Sequence, residues 1–245
     1  MSRVNILGVE IDDLTEDEVL QKIGGFLDNK KQGYLATVNP EFLVLAQKDN
    51  EFKEILNRAD LAVADGIGLI YASRFLGCPL KQRITGVDLI EKICQKASQK
   101  NWQVLLFGAQ EGVAEKAAQN LKKKYLNLDT MGFFTPTVVG VQNDSIRKPV
   151  ILFVALGAPK QEKWIAANLD KMPDVNLAIG VGGAFDFIAG KVKRAPLSWQ
   201  DKGFEWLWRL TCQPWRLKRI FKAIVVFPWL VIKDKLSTDK HFTII

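Results

Sequence analysis

The stretch that decides the fold is VNLAIGVGGAFDFIAGKVKRAP, which runs from Val175 to Pro196. Its first seven residues have the length and apolar character of a buried strand, and Gly182 and Gly183 follow at once. Two glycines after a strand allow another group to approach the backbone more closely than a Cβ would permit. Asp186 then stands between two phenylalanines, and three cationic residues follow it. This composition is more typical of a binding site than of a protein core.

The segments before this stretch alternate between strand and helix patterns. Strands are predicted at Val4–Ile11, Tyr34–Val38, Leu61–Ala64, Val104–Phe107 and Val150–Leu156. A helix is predicted after Thr15, where Glu18 completes a capping box, and another after Asn39, with Pro40 as its first residue. Further helices are predicted over Val87–Lys100 and Glu111–Leu126, and in the segment that follows Gly157. This alternation implies the α/β class, with a Rossmann-like, mostly parallel sheet and helices on both faces.

Basic and aromatic residues are concentrated towards the C-terminal end. Residues 191–245 contain twelve Lys and Arg against four Asp and Glu, a balance of +8, and five of the seven tryptophans. Because the whole chain carries +7 (34 minus 27), residues 1–190 carry −1. We therefore divide the chain into a Rossmann-like body, residues 1–195, and a basic, aromatic, helical appendage, residues 196–245. Localised charge with tryptophan suits an anionic membrane surface at least as well as nucleic acid.

Composition disfavours several classes of protein. The longest apolar run, Ala223–Ile232, has ten residues and contains a proline, whereas a membrane-spanning helix needs about 20. The opening MSRVNILGVEIDD lacks the apolar core of a signal peptide. Cys78, Cys94 and Cys212 are odd in number and widely spaced, which favours a reducing compartment. We therefore expect a cytoplasmic protein without a spanning helix.

The residue inventory also restricts the chemistry. The only histidine is His241, so a histidine base, Ser-His-Asp hydrolysis and most zinc sites are disfavoured. No Asp-x-Asp pair is present to hold a metal-bound diphosphate. We therefore expect no metal and no cofactor. A carboxylate should act as general base, while Lys, Arg and helix N-termini meet the charge of a leaving group.

Four predicted strand ends carry polar or glycine-rich residues, which a parallel sheet brings to one edge. They are Thr37–Asn39, Asp65-Gly66, Gly108–Gln110 and Gly157–Glu162. Gly108 and Gly112 could place a diphosphate at a helix N-terminus, although a tight turn explains them equally well. Lys160 and Gln161 could bind an anion, or they could simply begin a capped surface helix.

Each candidate also has a purely structural interpretation. Asp65 and Asn39 could cap or turn the chain before the next helix. Arg83 could pair with Asp88, and Asp186 could fix a turn. For each of these residues taken alone, the structural interpretation is simpler than the functional one.

Seven segments occur in one order: VADGIGLI, KQRITGVDLI, LFGAQ, MGFF, VALGAPKQEKW, GVGGAFDFIAGKVKRAP and GFEWLWRL. This series resembles the WecG/TagA/CpsF family of bacterial glycosyltransferases over nearly the whole chain. The resemblance to TagA-like members implies inverting transfer of N-acetylmannosamine from its UDP donor, in wall teichoic acid synthesis. The acceptor it implies is N-acetylglucosamine on undecaprenyl diphosphate. WecG-like members imply the uronic acid form instead, for another surface polymer.

The resemblance also implies roles for particular residues. It makes Asp65 the base that deprotonates the acceptor hydroxyl. It puts Thr37, Asn39, Arg83 and Gln161 in the substrate pocket, to which the strand-end patterns add Gly108, Lys160, Gly183 and Asp186. It aligns Arg209, Arg216 and Arg219 with C-terminal arginines of the family, which we expect to meet the leaving-group charge beside the membrane.

The appendage is predicted to contain an amphipathic helix from Trp215 to Phe227, with Pro228 kinking or ending it. At about 100° per residue its apolar face holds Leu217, Ile220, Phe221, Ile224 and Phe227, and its basic face holds Arg216, Lys218, Arg219 and Lys222. We expect this helix to bind the anionic inner face of the bacterial cell membrane, where a lipid-linked acceptor lies. The apolar face could instead pack on the body or bind a second copy of the chain.

Other function classes remain open from the residues alone. A non-catalytic nucleotide or nucleic-acid binding module would use the basic tail and bind in a salt-sensitive way. A nicotinamide-dependent oxidoreductase is disfavoured because GxGxxG is missing. We favour the glycosyltransferase, with no nucleic-acid partner. No motif separates N-acetylmannosamine from its uronic acid or another hexose.

Overall fold

The computed structural model describes residues 2–29, 31–135 and 148–242. Its strands are β1 (Arg3–Ile6), β2 (Val9–Asp12), β3 (Gly33–Val38), β4 (Leu61–Ala64), β5 (Gln103–Gly108), β6 (Asp129–Phe133), β7 (Val150–Ala155) and β8 (Val175–Gly180). Six of them form one parallel sheet in the order β4-β3-β8-β7-β5-β6. The apolar stretch that ends at the double glycine is β8, which lies in the interior of this sheet.

Helices cover both faces of the sheet. They are α1 (Glu16–Asp28), α2 (Pro40–Ala46), α3 (Asn50–Asn57), α4 (Ile67–Phe75), α5 (Gly86–Lys100), α6 (Val113–Lys124), α7 (Lys160–Asn168), α8 (Ala184–Ile188), α9 (Leu197–Asp201), α10 (Glu205–Cys212), α11 (Leu217–Phe221) and α12 (Phe227–Phe242). One hydrophobic core lies under α1, α5, α6 and α8, and the other lies under the β1–β2 hairpin, α2, α3, α4, α7 and α12. The Rossmann-like α/β fold predicted from the sequence is confirmed.

The central strands are apolar on both sides because both faces of the sheet are covered. All six residues of β7, sequence VILFVA, are buried, and Leu152 and Phe153 enter opposite cores. This explains why the strands appear in the sequence as continuous apolar runs rather than as alternating patterns.

Two helix starts follow the predicted capping chemistry. The hydroxyl of Thr15 accepts a hydrogen bond from the Glu18 backbone at 3.3 Å, and the Glu18 carboxylate accepts one from the Thr15 backbone at 2.6 Å. The side-chain oxygen of Asn39 accepts from Phe42 N at 3.2 Å, and Pro40 is the first residue of α2. Both predictions are confirmed.

The N-terminal segment differs from its prediction. Val4–Ile11 is not one strand but the antiparallel pair β1 and β2. Leu7 and Gly8 have φ of +56° and +78° and turn the chain between them, and Asn5 Oδ1 accepts from Gly8 N at 3.0 Å. Apolar residues recur at short intervals on both sides of this turn, at Val4, Ile6, Val9 and Ile11, so the apolar pattern did not reveal it.

One of the two alternatives predicted for Pro228, that it ends the helix, is wrong. The helical segment continues to Phe242, with a π-helical turn over Lys222–Val226 directly before α12. A proline lacks an N–H and crowds the preceding turn, and a widened turn accommodates both effects. The side chains of Phe227 and Val231 are buried in the core beneath α12. No helix in the part of the chain that the structure describes is long and apolar enough to cross a membrane.

Candidate active site

A cavity of about 390 Å³ opens between the carboxyl edge of the sheet and the appendage. The predicted site residues that line it are Thr37, Asn39, Asp65, Arg83, Gln161, Gly183, Arg209, Arg216 and Arg219. Strand ends supply the first wall because parallel strands all point their carboxyl ends to this edge. The three arginines after residue 200 come from the facing wall. Body and appendage therefore build one site together.

Asp65 follows β4 directly and is partly buried in this cavity. Its backbone N–H donates to Val38 O at 2.6 Å, and its carboxylate accepts a hydrogen bond from Gly86 N at 3.3 Å. The residue before α4 is Gly66, and no side chain caps that helix. The interpretation of Asp65 as a helix cap is therefore wrong.

The surroundings of Asp65 change its basicity. Removal from water is the largest influence and raises its pKa, and all influences together bring the pKa from 3.8 to about 6. Arg209, the Gly86 N–H and Arg83 favour the ionised carboxylate and lower the pKa, while Glu205 raises it. A carboxyl group with a pKa of about 6 is ionised at neutral pH and still accepts a proton readily, as a general base must.

Arg83 does not pair with Asp88, as its structural interpretation required. Asp88 is held by Arg194, whose Nη2 lies 2.8 Å from Oδ2, and by the hydroxyl of Thr85 at 2.6 Å. Although burial opposes ionisation, these two partners hold the pKa of Asp88 below its ordinary value. Arg83 instead faces Glu205 of α10, at 3.6 Å between Nη2 and Oε2. Arg83 therefore remains in the cavity wall.

Glu205 is a cavity residue that the sequence did not single out. It belongs to GFEWLWRL, one of the segments that carry the family resemblance. The available signal was a lone carboxylate in a segment with two tryptophans and an arginine. Its ion pair with Arg83 could not be inferred from spacing, since 122 positions separate the two residues.

The arginines of the appendage approach the body at defined points. The Arg209 guanidinium lies 4.5 Å from the ring centroid of Phe187, and Arg219 pairs with Glu41 at 2.7 Å. A Cβ on Gly183 would lie only 2.9 Å from Arg216 Nη2. The close approach that the double glycine predicted is thus made by an arginine. Burial, together with Arg209 and Arg219, lowers the pKa of Arg216 to about 10.

Gln161 joins two strand-end loops. Its side-chain oxygen accepts hydrogen bonds from Gly157 N at 3.1 Å and Gly182 N at 3.0 Å, and its amide nitrogen donates to Glu162 Oε1 at 2.6 Å. Gln161 and Glu162 are both buried, so the first turn of α7 does not belong to a capped surface helix, and that interpretation is wrong. A Cβ on Gly180 would lie 2.7 Å from the Gln161 nitrogen, so only glycine leaves room for this contact.

Thr37 and Asn39 line the cavity and also have structural roles. The Thr37 hydroxyl donates to Gly180 O at 2.7 Å, which joins β3 to β8 beyond their ladder, and Asn39 caps α2. These bonds fix the positions of both side chains at the cavity wall.

Three predicted site residues are not brought to this cavity. Gly108 ends β5, on the far side of β7 from β8, and Lys160 is exposed on the first turn of α7. Asp186 lies on α8, outside the lining of the cavity. Their roles in substrate binding stay predictions. Within residues 2–29, 31–135 and 148–242, no three His, Cys, Asp or Glu side chains are grouped as metal ligands.

The geometry combines two functions in one cavity. A carboxylate with raised pKa can remove a proton from a hydroxyl group, and a set of guanidinium groups can neutralise a departing diphosphate. Such a pair of features suits the transfer of a group from a nucleoside diphosphate to an alcohol.

Comparison with known proteins agrees with this class. The model of the "Glycosyl transferase WecG/TagA/CpsF family" matches residues 4–241. The chain belongs to this family and is a glycosyltransferase, as the motif series predicted.

Relatives from Staphylococcus aureus are similar along nearly the whole chain. Proteins of the strains NCTC 8325 / PS 47, COL and MSSA476 are each 32% identical over 247 residues, which covers 98% of this chain and 96% of the relative. Each of these relatives is named N-acetylglucosaminyldiphosphoundecaprenol N-acetyl-beta-D-mannosaminyltransferase.

Proposed function

We propose that this protein transfers N-acetylmannosamine from UDP-N-acetylmannosamine to N-acetylglucosamine on undecaprenyl diphosphate, in the synthesis of the wall teichoic acid linkage unit. The names of the Staphylococcus aureus relatives support the sugar and the acceptor. The observation that carries the proposal is the position of Asp65 in the cavity that Arg83, Arg209, Arg216 and Arg219 also line.

The reaction follows as a single displacement with inversion. The Asp65 carboxylate takes the proton of the acceptor hydroxyl as its oxygen bonds to the anomeric carbon of the donor. The bond from that carbon to the UDP oxygen breaks on the opposite face, and the electron pair leaves with the diphosphate. One base and no covalent sugar–enzyme intermediate are required. A beta product from an alpha-linked nucleotide sugar requires this inversion.

The chain's own cations neutralise the charge of the leaving UDP. Arg83 comes from the body, while Arg209, Arg216 and Arg219 come from the appendage. Their guanidinium groups are held by Glu205, the Phe187 ring, the Gln213 side chain and Glu41, and such preorganised donors stabilise developing charge at low reorganisation cost. We therefore propose a reaction that needs neither a metal nor a cofactor.

The test of this function is a transfer assay on Asp65→Asn. UDP release is measured with a panel of UDP-sugars, including the uronic acid of N-acetylmannosamine, and a synthetic lipid-diphosphate acceptor. We expect kcat to fall by at least about 100-fold because the amide cannot accept the proton. UDP affinity, measured by calorimetry, should be retained. Undiminished turnover would show that Asp65 is not the base, and preference for another sugar would replace the proposed donor.

We also propose that the protein binds peripherally to the inner face of the cell membrane through the appendage. Phe227 and Val231 pack into the body, but the opposite side of the same helical segment is apolar and exposed. This exposed stripe consists of Leu217, Phe221, Ile224, Val225, Trp229, Ile232 and Leu236. Phe227, which the sequence also assigned to the apolar face, is covered by the body, which is the alternative that the sequence left open for this face.

Cationic side chains accompany the exposed stripe. Lys218 and Lys233 are exposed, and Lys233 lies 5.2 Å from the ring centroid of Trp229. An apolar stripe with tryptophan and lysine matches the boundary between acyl chains and anionic headgroups. A lipid-linked acceptor would reach the cavity from the same surface. Because Arg209, Arg216 and Arg219 line the cavity, they are poorly placed for a nucleic-acid phosphate backbone.

Vesicle binding of the full-length chain tests this second proposal. Phe221→Ser combined with Ile232→Ser should weaken binding to phosphatidylcholine–phosphatidylglycerol vesicles by roughly tenfold or more, since each buried side chain contributes about 1.5–3 kcal/mol. The matched control is Leu126→Ser, an exposed leucine between α6 and β6. If the double variant and the Leu126→Ser control bind vesicles equally well, the exposed stripe has another partner. Loss of a dimer in sedimentation, without loss of vesicle binding, would identify that partner as a second copy.

A further inference from the structure

Glu205 occupies an unusual position for a carboxylate in an anion-binding site. It is the first residue of α10, its side chain is 15% exposed, and it lines the cavity. Two cations from residues 1–195 contact it: Arg83 Nη2 lies 3.6 Å from Oε2, and Arg194 Nε lies 3.4 Å from Oε1. A cavity meant only to attract a diphosphate gains nothing from a second carboxylate, so this arrangement needs a reason.

The four arginines of the cavity create a conflict. They are needed to neutralise the leaving group, yet cations close to Asp65 stabilise its ionised form and make it a weaker base. The charged groups that face Asp65 are Arg83, which precedes α5, and Glu205 and Arg209, both on α10. The other ionisable groups of the lining, Tyr71, Arg216 and Arg219, come from α4 and the appendage. Glu205 is the one anion among the described groups that face Asp65.

The two arginines beside Glu205 have different attachments. Arg194 makes its closest hydrogen bonds with Asp88. Among the ion pairs of the described residues, the partner of Arg83 is Glu205. Glu205 therefore acts on Arg83 and, through the shared cavity, on Asp65. Glu205 and Arg209 both belong to α10, so one helix places this carboxylate and this cation in the cavity wall.

We propose that Glu205 is a positioning residue for the transfer reaction: it balances the cavity arginines so that Asp65 remains a competent base while those arginines remain available to the diphosphate. This inference rests on the proposed function of Asp65. It also connects the position of α10 in the appendage to the basicity of a residue in the body, because Glu205 is the first residue of that helix.

The experiment compares Glu205→Gln, Glu205→Asp and the control Glu41→Gln in the full-length protein. Glu41 forms another ion pair between body and appendage, with Arg219, but it is not among the charged groups that face Asp65. For each protein the pH dependence of transfer and KM for the UDP-sugar are measured. The titration of the Asp65 carboxyl is followed separately by carbon-13 NMR, with Asp65→Asn for assignment.

Glu205→Gln should lower the midpoint of the acid limb by roughly half a pH unit and lower the plateau kcat by about two- to threefold. KM for the UDP-sugar should not rise, because the cavity becomes more positive. Glu205→Asp keeps the negative charge and should restore the midpoint, and Glu41→Gln should not move it.

A merely structural role gives a different pattern. If Glu205 only anchors α10, Glu205→Gln should raise KM and lower Tm while the Asp65 titration stays where it is, and this result would overturn the proposal. The NMR titration does not depend on turnover. A shifted Asp65 titration without transfer to any acceptor would therefore refute the proposed function while leaving the electrostatic effect of Glu205 intact.

Discussion

Replacement of Glu162 by Gln should make the stability of the protein less dependent on pH. Glu162 is fully buried on α7, and its Oε1 accepts a hydrogen bond from Gln161 at 2.6 Å. Its other oxygen has no hydrogen-bond partner among the described residues. Burial raises the pKa of Glu162 from 4.5 to about 7, and the bond from Gln161 offsets only part of this rise.

The sign of the effect follows from proton binding. The folded protein binds the Glu162 proton more tightly than the unfolded chain, so the group's contribution to stability is fully present below pH 4.5. That contribution is lost as pH rises through about 7. At about 1.4 kcal/mol per tenfold change in proton affinity, the loss by pH 8.5 is on the order of 3 kcal/mol. Glutamine cannot ionise and keeps an oxygen to accept from Gln161.

Urea unfolding measured from pH 5 to pH 8.5 tests this reasoning. The free energy of unfolding of Glu162→Gln, relative to wild type, should increase with pH by up to about 3 kcal/mol. Glu111→Gln, at an exposed position before α6, is the matched control for replacing a carboxylate with an amide. If the wild-type and Glu162→Gln curves run parallel over this range, the carboxyl group is not held in its neutral form and the argument fails.

Two other predictions concern catalysis. Gly183→Ala places a methyl group 2.9 Å from Arg216 Nη2, so the Arg216 side chain must move. The transfer rate should then fall by roughly tenfold while Tm changes little. Transfer at the wild-type rate would show that the position of Arg216 is unimportant. In wild type, kcat/KM should fall as pH drops through about 6, since Asp65 must be ionised to act as base, and a pH–rate profile without an acid limb near that value would argue against it.

Much of the fold could be predicted from the sequence because the central strands are buried on both faces. Burial of this kind produces the continuous apolar runs of β3, β7 and β8, and the polar residues that follow them mark the carboxyl edge. The cavity residues at the strand ends, such as Thr37, Asp65 and Gly183, could be gathered for the same reason, whereas the arginines of the appendage were predicted from the family resemblance. A parallel sheet collects residues that are distant in sequence at one edge.

The remainder depended on contacts that no local pattern encodes. The partner of Arg83 is Glu205 rather than nearby Asp88, because Asp88 is paired with Arg194, which is distant in sequence. The helical period of the appendage correctly identified apolar positions but could not tell which of them, such as Phe227, the body would cover. The turn at Leu7 was hidden because apolar residues recur at short intervals on both sides of it.

A crystal structure with bound UDP tests the central claim most directly. The account predicts that the diphosphate lies in the cavity against Arg83 and the arginines of the appendage, with Asp65 on the side from which an acceptor hydroxyl would attack. A nucleotide bound away from this cavity, for instance beyond the end of β5 at Gly108, would contradict it.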